Sequence, residues 1–478
     1  MIFNTQSCMS NIKLLILSVV VLTALSCKRQ AGETDAFFKF FIAMEEIQLT
    51  SGKKGHFLHT TQYFSQDDSW IVYDTRNNGT HIGRTCCIEA VNVRTEEIKQ
   101  LYQTRDQTIY GPGVGSATFN PVSDRVLFIH GLQNCDSVQP YGFYRRTGVA
   151  VDMNHPGKPI FMDGRDVTPP FTAGALRGGT HAHTWSADGQ WVSFTYNDAV
   201  MAEFENKGII GKKDLRMVGV MAPYGPVQVG KDGSGENIDG EKYTVVVTNV
   251  TEDPEPGSDQ IDRAYEDGWV GTNGYVKEDG SRQKRAVAFL GDIRDQAGNK
   301  RTEVFIVDIP DDVTKGNEGK PLSGTETTRP NPPAGTIQRR LTFTADRKYP
   351  GVQGPRHWLR STPDGSMIFF MMKDKQGVVQ IYSISPNGGS PNQITDNNFS
   401  VETGFNVSPD GEFLAYGSQQ RVYITHIQSG QTRQVSPEPK NSMAELRAVN
   451  WSNDGNMLAY NRKVATVDSA YFQVFLLI

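Results

Sequence analysis

Cysteine and long apolar runs are scarce in this sequence. The first shortage excludes a network of disulfides, and the second argues against a transmembrane helix. Five of the 478 residues are cysteine, and apart from Cys8 and Cys27 only Cys86, Cys87 and Cys135 remain. Such a set can form one internal disulfide at most, which leaves at least one free thiol, and a bond between Cys86 and Cys87 would be an unusual vicinal arrangement. Three buried, inert thiols are the alternative. The longest apolar run, residues 14–25, is shorter than the about 20 residues of a transmembrane helix.

The sequence also lacks a large excess of either positive or negative charge. Lysine and arginine number 48 against 53 aspartates and glutamates. Because no basic excess exists, the composition gives no electrostatic reason to expect a nucleic-acid partner.

The short apolar run has the features of a signal-peptide core. It is followed by Ala24-Leu25-Ser26-Cys27, which resembles a bacterial lipobox. The resemblance implies a signal peptide over residues 1–26 and diacylglycerol on the Cys27 sulfur, with residues 27–44 as a tether. Since lysine and not aspartate follows Cys27, we expect an outer-membrane location, facing the periplasm or the cell surface. An ordinary signal peptide with an incidental cysteine is the alternative.

A repeated motif fills residues 45–478. It consists of an aromatic or apolar residue, Ser-x-Asp-Gly or a variant, and then an apolar strand. The aspartate accepts backbone hydrogen bonds and glycine tolerates positive φ, so the chain reverses there. Strands rich in aromatic and β-branched residues surround each turn, which predicts one sheet per unit. Six units begin at Phe64, Phe119, Trp185, Ser361, Val407 and Trp451. Except for the longer gap between Trp185 and Ser361, they are about 40 to 70 residues apart, as propeller blades are.

A seventh unit is predicted between the third and the last three, although its turn motif is missing. Its first strand is assigned to residues 243–250, its second to 285–293 and its third to 302–309. An insertion over about residues 251–284 then replaces the first turn of blade four.

The segment "EIQLT" at residues 46–50 resembles the endings "RRLT", "NQIT" and "RQVS" of later units. The last unit has only one further strand after its turn motif, residues 471–477. An incomplete last blade would leave an unpaired edge. We therefore predict an all-β, seven-bladed β-propeller in which residues 46–50 complete the last blade. A chance group of β-forming residues is the alternative for this segment.

Three long stretches carry a family resemblance: residues 170–198, 256–271 and 324–358. With the repeats, they resemble the TolB-like, periplasmic WD40-type propellers and, more closely, the YidR-like bacterial family of unknown function. The resemblance implies a propeller and no established activity.

Residues just before the turn motifs gather near the propeller axis, because the innermost strands line the central channel. His181 and His183 are two apart on a strand and share a face. Together with His59 and His357 they are candidate ligands of a divalent metal ion. In the alternative, the rings are buried and hydrogen-bonded to backbone.

The His-x-His pair is similar in kind to the axial histidine cluster of oligogalacturonate lyases, which are also propellers. This likeness implies an ion that holds a uronate carboxylate and acidifies the neighbouring proton. No residue receives a catalytic role, since no wider motif aligns.

Other candidates for ligand binding combine charge with an expected place at the channel mouth. Trp269 lies in the predicted insertion with Asp262, Arg263 and Glu266. This set would belong to a lid or partner contact or, in the alternative, to a structural plug. Glu402 and Glu445 could also give oxygen ligands to a metal. The remaining candidates are Arg177, Arg356 and Arg447.

These features predict a lipid-anchored envelope propeller that binds a protein or glycan partner. Propeller rims offer broad loop surfaces, and the resemblance to TolB-like proteins implies protein contacts. The alternative is a divalent-metal-dependent enzyme acting on uronate-containing oligosaccharides. Apart from that metal, the sequence indicates no cofactor.

Overall fold

The computed structural model describes residues 44–439 and 445–478. The signal peptide, Cys27 and all of the tether except Met44 lie outside the described residues, so the predictions for them stay predictions. Residues 46–478 fold as one unit. Within the described ranges, no helix combines the length and apolar character that a membrane crossing requires.

Seven antiparallel sheets, called blades 1 to 7 here, make up the described chain. In chain order, the strands are β1 (Glu46–Gln48), β2 (Trp70–Asp74), β3 (Cys87–Asn92), β4 (Ile98–Gln103), β5 (Val114–Phe119), β6 (Arg125–Gly131), β7 (Arg146–Asp152), β8 (Ile160–Phe161), β9 (Gly164–Arg165), β10 (Ala175–Leu176), β11 (Gly178–Trp185), β12 (Val192–Asp198), β13 (Met217–Ala222), β14 (Tyr243–Val246), β15 (Ala264–Trp269), β16 (Tyr275–Val276), β17 (Arg282–Gln283), β18 (Ala286–Arg294), β19 (Lys300–Asp308), β20 (Ile337–Arg340), β21 (Arg360–Ser361), β22 (Ile368–Lys373), β23 (Val379–Ser385), β24 (Gly388–Gln393), β25 (Phe405–Val407), β26 (Phe413–Ser418), β27 (Arg421–His426), β28 (Thr432–Gln434), β29 (Leu446–Trp451), β30 (Leu458–Ala465) and β31 (Ala470–Leu477).

Each blade runs outward from the axis in a simple order. Blade 1 is β2-β3-β4, preceded by a segment that bridges β2 through Phe57 and Phe64. The others are β5 to β8, β11 to β14, β15-β18-β19-β20, β21 to β24, β25 to β28, and β29-β30-β31-β1. Two small sheets, β9-β10 and β16-β17, lie outside this scheme. The helix α1 (Ala199–Asn206) is capped by Asp198, which accepts from the Met201 N–H, and a 3₁₀ helix spans Ile82–Arg84.

The repeated turn motif satisfies its own polar groups. In blade 3, the Ser186 hydroxyl donates to Asp188 at 2.5 Å and accepts the Trp191 N–H at 2.9 Å. Gly189 completes the turn at φ +66°. The same pair of side-chain bonds recurs in blades 1, 5, 6 and 7, where Ser65, Thr362, Ser408 and Ser452 take the place of Ser186.

The endings of the repeated units also share one hydrogen bond, in which a side-chain hydroxyl accepts a backbone N–H of the neighbouring strand. Thr395 Oγ1 accepts the Ile381 N–H at 2.9 Å, and Ser436 Oγ accepts the Val422 N–H at 2.9 Å. Thr342 does the same for the Val304 N–H at 2.8 Å. In these blades, a hydroxyl just after the outer strand thus ties that strand to its neighbour in the sheet.

The predicted closure is confirmed. Strand β1 pairs with β31 in antiparallel register, with Glu46 opposite Leu477. Thr50 Oγ1 accepts the Val474 N–H at 2.8 Å, as the other ending residues do. Leu49 is buried in the same apolar cluster as Val474 and Leu476 of β31.

The first strand predicted for blade 4 was wrong, whereas its second and third strands are confirmed as β18 and β19. Residues 243–246 form β14, the outer strand of blade 3, and Thr248 accepts the Val218 N–H at 2.9 Å as a blade ending. The inner strand of blade 4 is β15, inside the segment predicted as an insertion. Only the hairpin β16-β17 is added there. The valine-rich β14 is almost wholly buried and mimics an inner strand, whereas charged residues and a bulge disguise β15.

Two of the three remaining cysteines form the vicinal arrangement. A disulfide joins Cys86 and Cys87 at the start of β3, and Cys135 is free. Partial burial raises the pKa of the Cys135 thiol.

Candidate functional site

A cavity of about 810 Å³ lies on the axis, beside the N-terminal halves of the inner strands. All seven blades contribute to its wall, including the segment 57–60 of blade 1 and the segment 445–448 of blade 7. The turn motifs follow the other ends of the same strands. Its volume falls within the range of about 300–1,000 Å³ that is typical of small-molecule sites.

Bulges in four inner strands shape the cavity wall. In each, the register shifts at a non-glycine residue with positive φ: Ser116 (+58°), Ala182 (+55°), Glu266 (+54°) and Ala448 (+54°). All four residues line the cavity. A bulge re-aims side chains, and a left-handed residue other than glycine costs about 1 kcal/mol or more. Only blade 4 places a charged side chain at this position.

Arginine dominates the cavity wall. Glu266, Glu402 and Glu445 are its only acidic lining residues, and neither lysine nor aspartate lines it among the residues described. The arginines number seven: Arg76, Arg146, Arg216, Arg263, Arg356, Arg360 and Arg447.

Some of these arginines are held by protein partners. Arg76 makes two bonds of 2.7 Å to the buried Asp74 carboxylate. Arg360 donates to Asn406 at 2.5 Å and to a backbone carbonyl at 3.0 Å. Arg356 donates to Glu266 Oε1 at 2.7 Å. These guanidinium groups therefore have protein acceptors in the cavity wall.

Arg146, Arg216 and Arg263 differ from them. Within the described ranges, no carboxylate lies at ion-pair distance from any of the three. Arg146 and Arg216 both lie over the Phe143 ring, with guanidinium carbons 5.0 and 5.6 Å from its centroid. Burial, followed by the charges of Arg263, Arg146 and Arg356, lowers the pKa of Arg216 to about 10. Positive charge is thus concentrated here, and the Glu266 carboxylate, which Arg356 already binds, offsets only part of it.

The four predicted metal residues do not all face the cavity. His59 and His181 line it, whereas the lining excludes His183 and His357. His357 is occupied at both ring nitrogens, by the Pro355 carbonyl at 2.9 Å and the Met371 N–H at 3.2 Å. His183 Nε2 lies 3.0 Å from the Thr180 hydroxyl. Burial lowers the pKa of His183 to about 3 and of His357 to about 4, so both rings are neutral near pH 7.

Among the described residues, no three His, Cys, Asp or Glu side chains are grouped so that they could hold a metal ion. The metal assignment stays a prediction, without support from the positions of these side chains.

The other predicted ligand-binding residues fall into two groups. Arg356, Glu402, Glu445 and Arg447 line the cavity. Arg177 lies elsewhere, fully buried, with Nη2 2.8 Å from Asp198 Oδ2. Trp269 ends β15, and its indole N–H donates to the Thr184 carbonyl at 3.0 Å. That position belongs to an inner strand and not to a lid.

Sequence reasoning missed Arg146 and Arg216, and it assigned Arg263 and Glu266 to a lid or partner contact and not to the cavity wall. Arg146 begins β7 and Arg216 directly precedes β13, so both come from third strands and not from inner ones. Their shared place before a third strand is the signal that could have found them. Arg263 and Glu266 were misplaced because the inner strand of blade 4 was predicted to be an insertion.

Sequence comparison adds the family. A family model described as a protein of unknown function (DUF3748) matches residues 113–236. Over 417 residues, the chain is 42% identical to the uncharacterized protein YidR of Escherichia coli (strain K12), covering 86% of this chain and 94% of that protein. The chain belongs to the YidR family.

Solved structures show a more distant likeness. An oligogalacturonate lyase in complex with manganese is 11% identical, with a TM-score of 0.48 over 91% of this chain and 96% of that chain. TolB from Acinetobacter baumannii is 15% identical, with a TM-score of 0.35 over 87% and 83% of the two chains. No functional statement about this YidR-family protein follows from likeness at this level.

Proposed function

We propose that this YidR-family protein is a lipid-anchored propeller of the cell envelope that binds an acidic partner in its central cavity. One observation carries the binding proposal: Arg146, Arg216 and Arg263 lie together at the cavity without a carboxylate at ion-pair distance in the described part of the chain. Arginine is the side chain best suited to carboxylate and phosphate groups, because its guanidinium donates two parallel hydrogen bonds.

The energetics support an anion as the missing partner. Neighbouring guanidinium groups repel each other, and partial burial weakens the screening by water. A bound anion would convert this repulsion into attraction. The cavity volume of about 810 Å³ suits a small molecule or the end of an acidic glycan. A folded protein domain would not enter it, so an acidic glycan is the favoured kind of partner.

Calorimetric titration with citrate tests the binding proposal. At constant ionic strength, the full-length protein should bind citrate at one saturable site. Arg216→Gln should weaken that binding about tenfold or more, because hydrogen bonds to charged groups contribute about 1.5–3 kcal/mol each.

Arg94→Gln is the matched control, since Arg94 is an exposed arginine beyond the end of β3. It should bind citrate as the unmodified protein does. Equal citrate affinity in all three proteins, or an affinity that only follows ionic strength, would reject the cavity as an anion site.

The second predicted function has no comparable observation behind it. A divalent-metal-dependent enzyme on uronate-containing oligosaccharides needs a ligand set, and the described residues offer none. No reaction step is therefore derived. Release of unsaturated uronate products, followed by their ultraviolet absorbance, would favour this function over binding alone.

The lipid anchor rests on Cys27 and the apolar run before it. Each buried CH₂ of an acyl chain contributes about 0.8 kcal/mol to membrane binding. Cys27→Ser should move the protein from the membrane fraction to the soluble fraction, as measured by fractionation and labelling with a fatty-acid analogue. Cys135→Ser is the control and should remain acylated. Unchanged sedimentation of the Cys27 variant with membranes would contradict the anchor.

A further inference from the structure

The cavity wall contains buried polar atoms that have no hydrogen-bond partner among the residues that the structure describes. They belong to five lining residues, and both donors and acceptors are among them. The atoms are Glu266 Oε2, His59 Nε2, Thr60 Oγ1, Trp358 Nε1, and the Nε and Nη2 atoms of Arg146. Buried polar groups in proteins are nearly always paired, so such a group at a cavity wall indicates a ligand or ordered water.

Glu266 is the most informative of these residues. Its side chain is only 6% exposed, and Arg356 binds its Oε1 at 2.7 Å. Its backbone is held at φ +54° at the bulge of β15. Ser116, Ala182 and Ala448 occupy the corresponding bulges of other blades, so a charged side chain is not needed for the bulge itself. Strain at a non-glycine residue of this kind is typical of functional positions.

The Glu266 carboxylate also disfavours a ligand that is a simple anion. Burial raises the pKa of Glu266, and the charges of Arg356, Arg216 and Arg263 oppose that rise. A ligand that offers only acceptors would be repelled by Glu266 and would leave Oε2 unpaired. A ligand that also has hydroxyl groups can donate to Oε2, to His59 or to Thr60. The wall therefore fits a molecule that accepts at one end and donates at another.

We propose that the ligand is a polyhydroxy acid, with its acidic group at Arg146, Arg216 and Arg263 and a hydroxyl group donating to Glu266 Oε2. This inference rests on the proposed anion binding and adds the chemical class of the ligand. The acidic group is a carboxylate, as in a sugar acid, or a phosphate, as in a sugar phosphate. Either compound combines acceptors for the guanidinium groups with hydroxyl donors for the carboxylate.

Four probes test the inference by calorimetry on the full-length protein at pH 8. Glucuronate has the acid and the hydroxyls, cyclohexanecarboxylate has the acid on a similar ring, and glucose has only hydroxyls. Glucose 6-phosphate replaces the carboxylate with phosphate. Glucuronate, glucose 6-phosphate or both should bind about tenfold or more tighter than cyclohexanecarboxylate and glucose, because unpaired buried groups penalise the incomplete analogues.

Glu266→Gln should act in opposite directions on two probes. Loss of the carboxylate acceptor should weaken binding of the hydroxylated acid about tenfold. Loss of the negative charge should leave binding of cyclohexanecarboxylate unchanged or make it tighter. Glu203→Gln is the control, because Glu203 lies on α1 in a surface pair with Lys207 and should change neither.

The comparison of probes on the unmodified protein remains decisive if the Glu266 variant does not fold. Cyclohexanecarboxylate or glucose binding as tightly as the hydroxylated acids would overturn the inference. If citrate binds while all four probes fail, anion binding stands and the polyhydroxy acid is rejected. If citrate also fails, the proposed function is rejected. Tighter binding of a uronate trisaccharide than of glucuronate would assign the ligand to an acidic polysaccharide, and equal binding to a free sugar acid.

Discussion

The two ends of the inner strands differ in how they treat polar groups. At the turn end, five blades repeat the same bonds, and the Ser186 hydroxyl is paired both as a donor and as an acceptor. At the cavity end, Glu266 and Arg146 have buried atoms without a partner in the described part of the chain, and several arginines lie close together. The turn end repeats around the ring, whereas the charged residues of the cavity differ from blade to blade.

This difference indicates that the turn end serves the stability of the fold and that the cavity end serves binding. A repeated, satisfied turn lowers the free energy of the fold in each blade. Unpaired groups and like charges raise it, and a protein keeps such features only where they do something else. Changes at the turn end should therefore affect stability without binding, and changes at the cavity should do the reverse.

Both ends of the inner strands depend on a closed ring of blades. A change at the closure should therefore have the largest effect on the free energy of unfolding. Leu49 is 3% exposed and packs with β31. Leu49→Ala should lower the free energy of unfolding by about 3–5 kcal/mol, as measured by urea denaturation, because it leaves a cavity in the core. Ile98→Ala is the control, since Ile98 is 44% exposed. A loss no greater than in the control would mean that the β1 segment does not hold the ring closed.

The next effect concerns Asp267, which is fully buried behind the cavity wall. Burial outweighs the nearby Ser193 hydroxyl and raises the pKa of Asp267 from 3.8 to about 7. The folded state therefore binds this proton more tightly, so stability should fall as pH rises from about 4 to about 7.

Asp267→Asn should remove that loss. At pH 8 the variant should exceed the unmodified protein in unfolding free energy by on the order of 2–3 kcal/mol, and the difference should vanish near pH 4. Denaturation across this pH range measures it. Asp468→Asn, at an exposed ion pair with Lys53, should give a small difference. A flat difference for Asp267→Asn would contradict the buried, proton-binding carboxyl.

A smaller loss is expected at the turn end. Ser186→Ala removes the acceptor for the Trp191 N–H and should lower the free energy of unfolding by about 1 kcal/mol. Citrate affinity should not change, because Ser186 is not a lining residue of the cavity. A changed affinity would show that the two ends are coupled.

The smallest effect has the opposite sign. Arg216→Gln should raise the free energy of unfolding by about 0.5 kcal/mol in the absence of ligand, since it removes repulsion by Arg146, Arg263 and Arg356. The same variant should bind citrate more weakly. Thermal unfolding measures the stability, and a loss of stability would show that Arg216 supports the fold more than it serves a ligand.

Blades 7 and 4 show how far sequence reasoning reaches. The ending formed by residues 46–50 was found because its hydroxyl, Thr50, does what Thr395 and Ser436 do. Thr248 does so as well, and it marks the end of blade 3. The apolar pattern gave a wrong prediction there, because β14 is as buried as an inner strand and was predicted to be the first strand of blade 4.

The sequence by itself determined the number of blades, the turn chemistry and the closure of the ring. Each follows from short-range patterns, in which a hydroxyl, an aspartate or a glycine acts within a few residues of itself or on the adjacent strand. It also placed Arg356 and Arg447 at the cavity, since inner strands converge on the axis. Only the tertiary structure decided that Arg216 and Arg263 lie beside Glu266, with Arg146 next to Arg216. They come from different strands of three blades, and burial and charge at such a meeting point depend on the assembled ring.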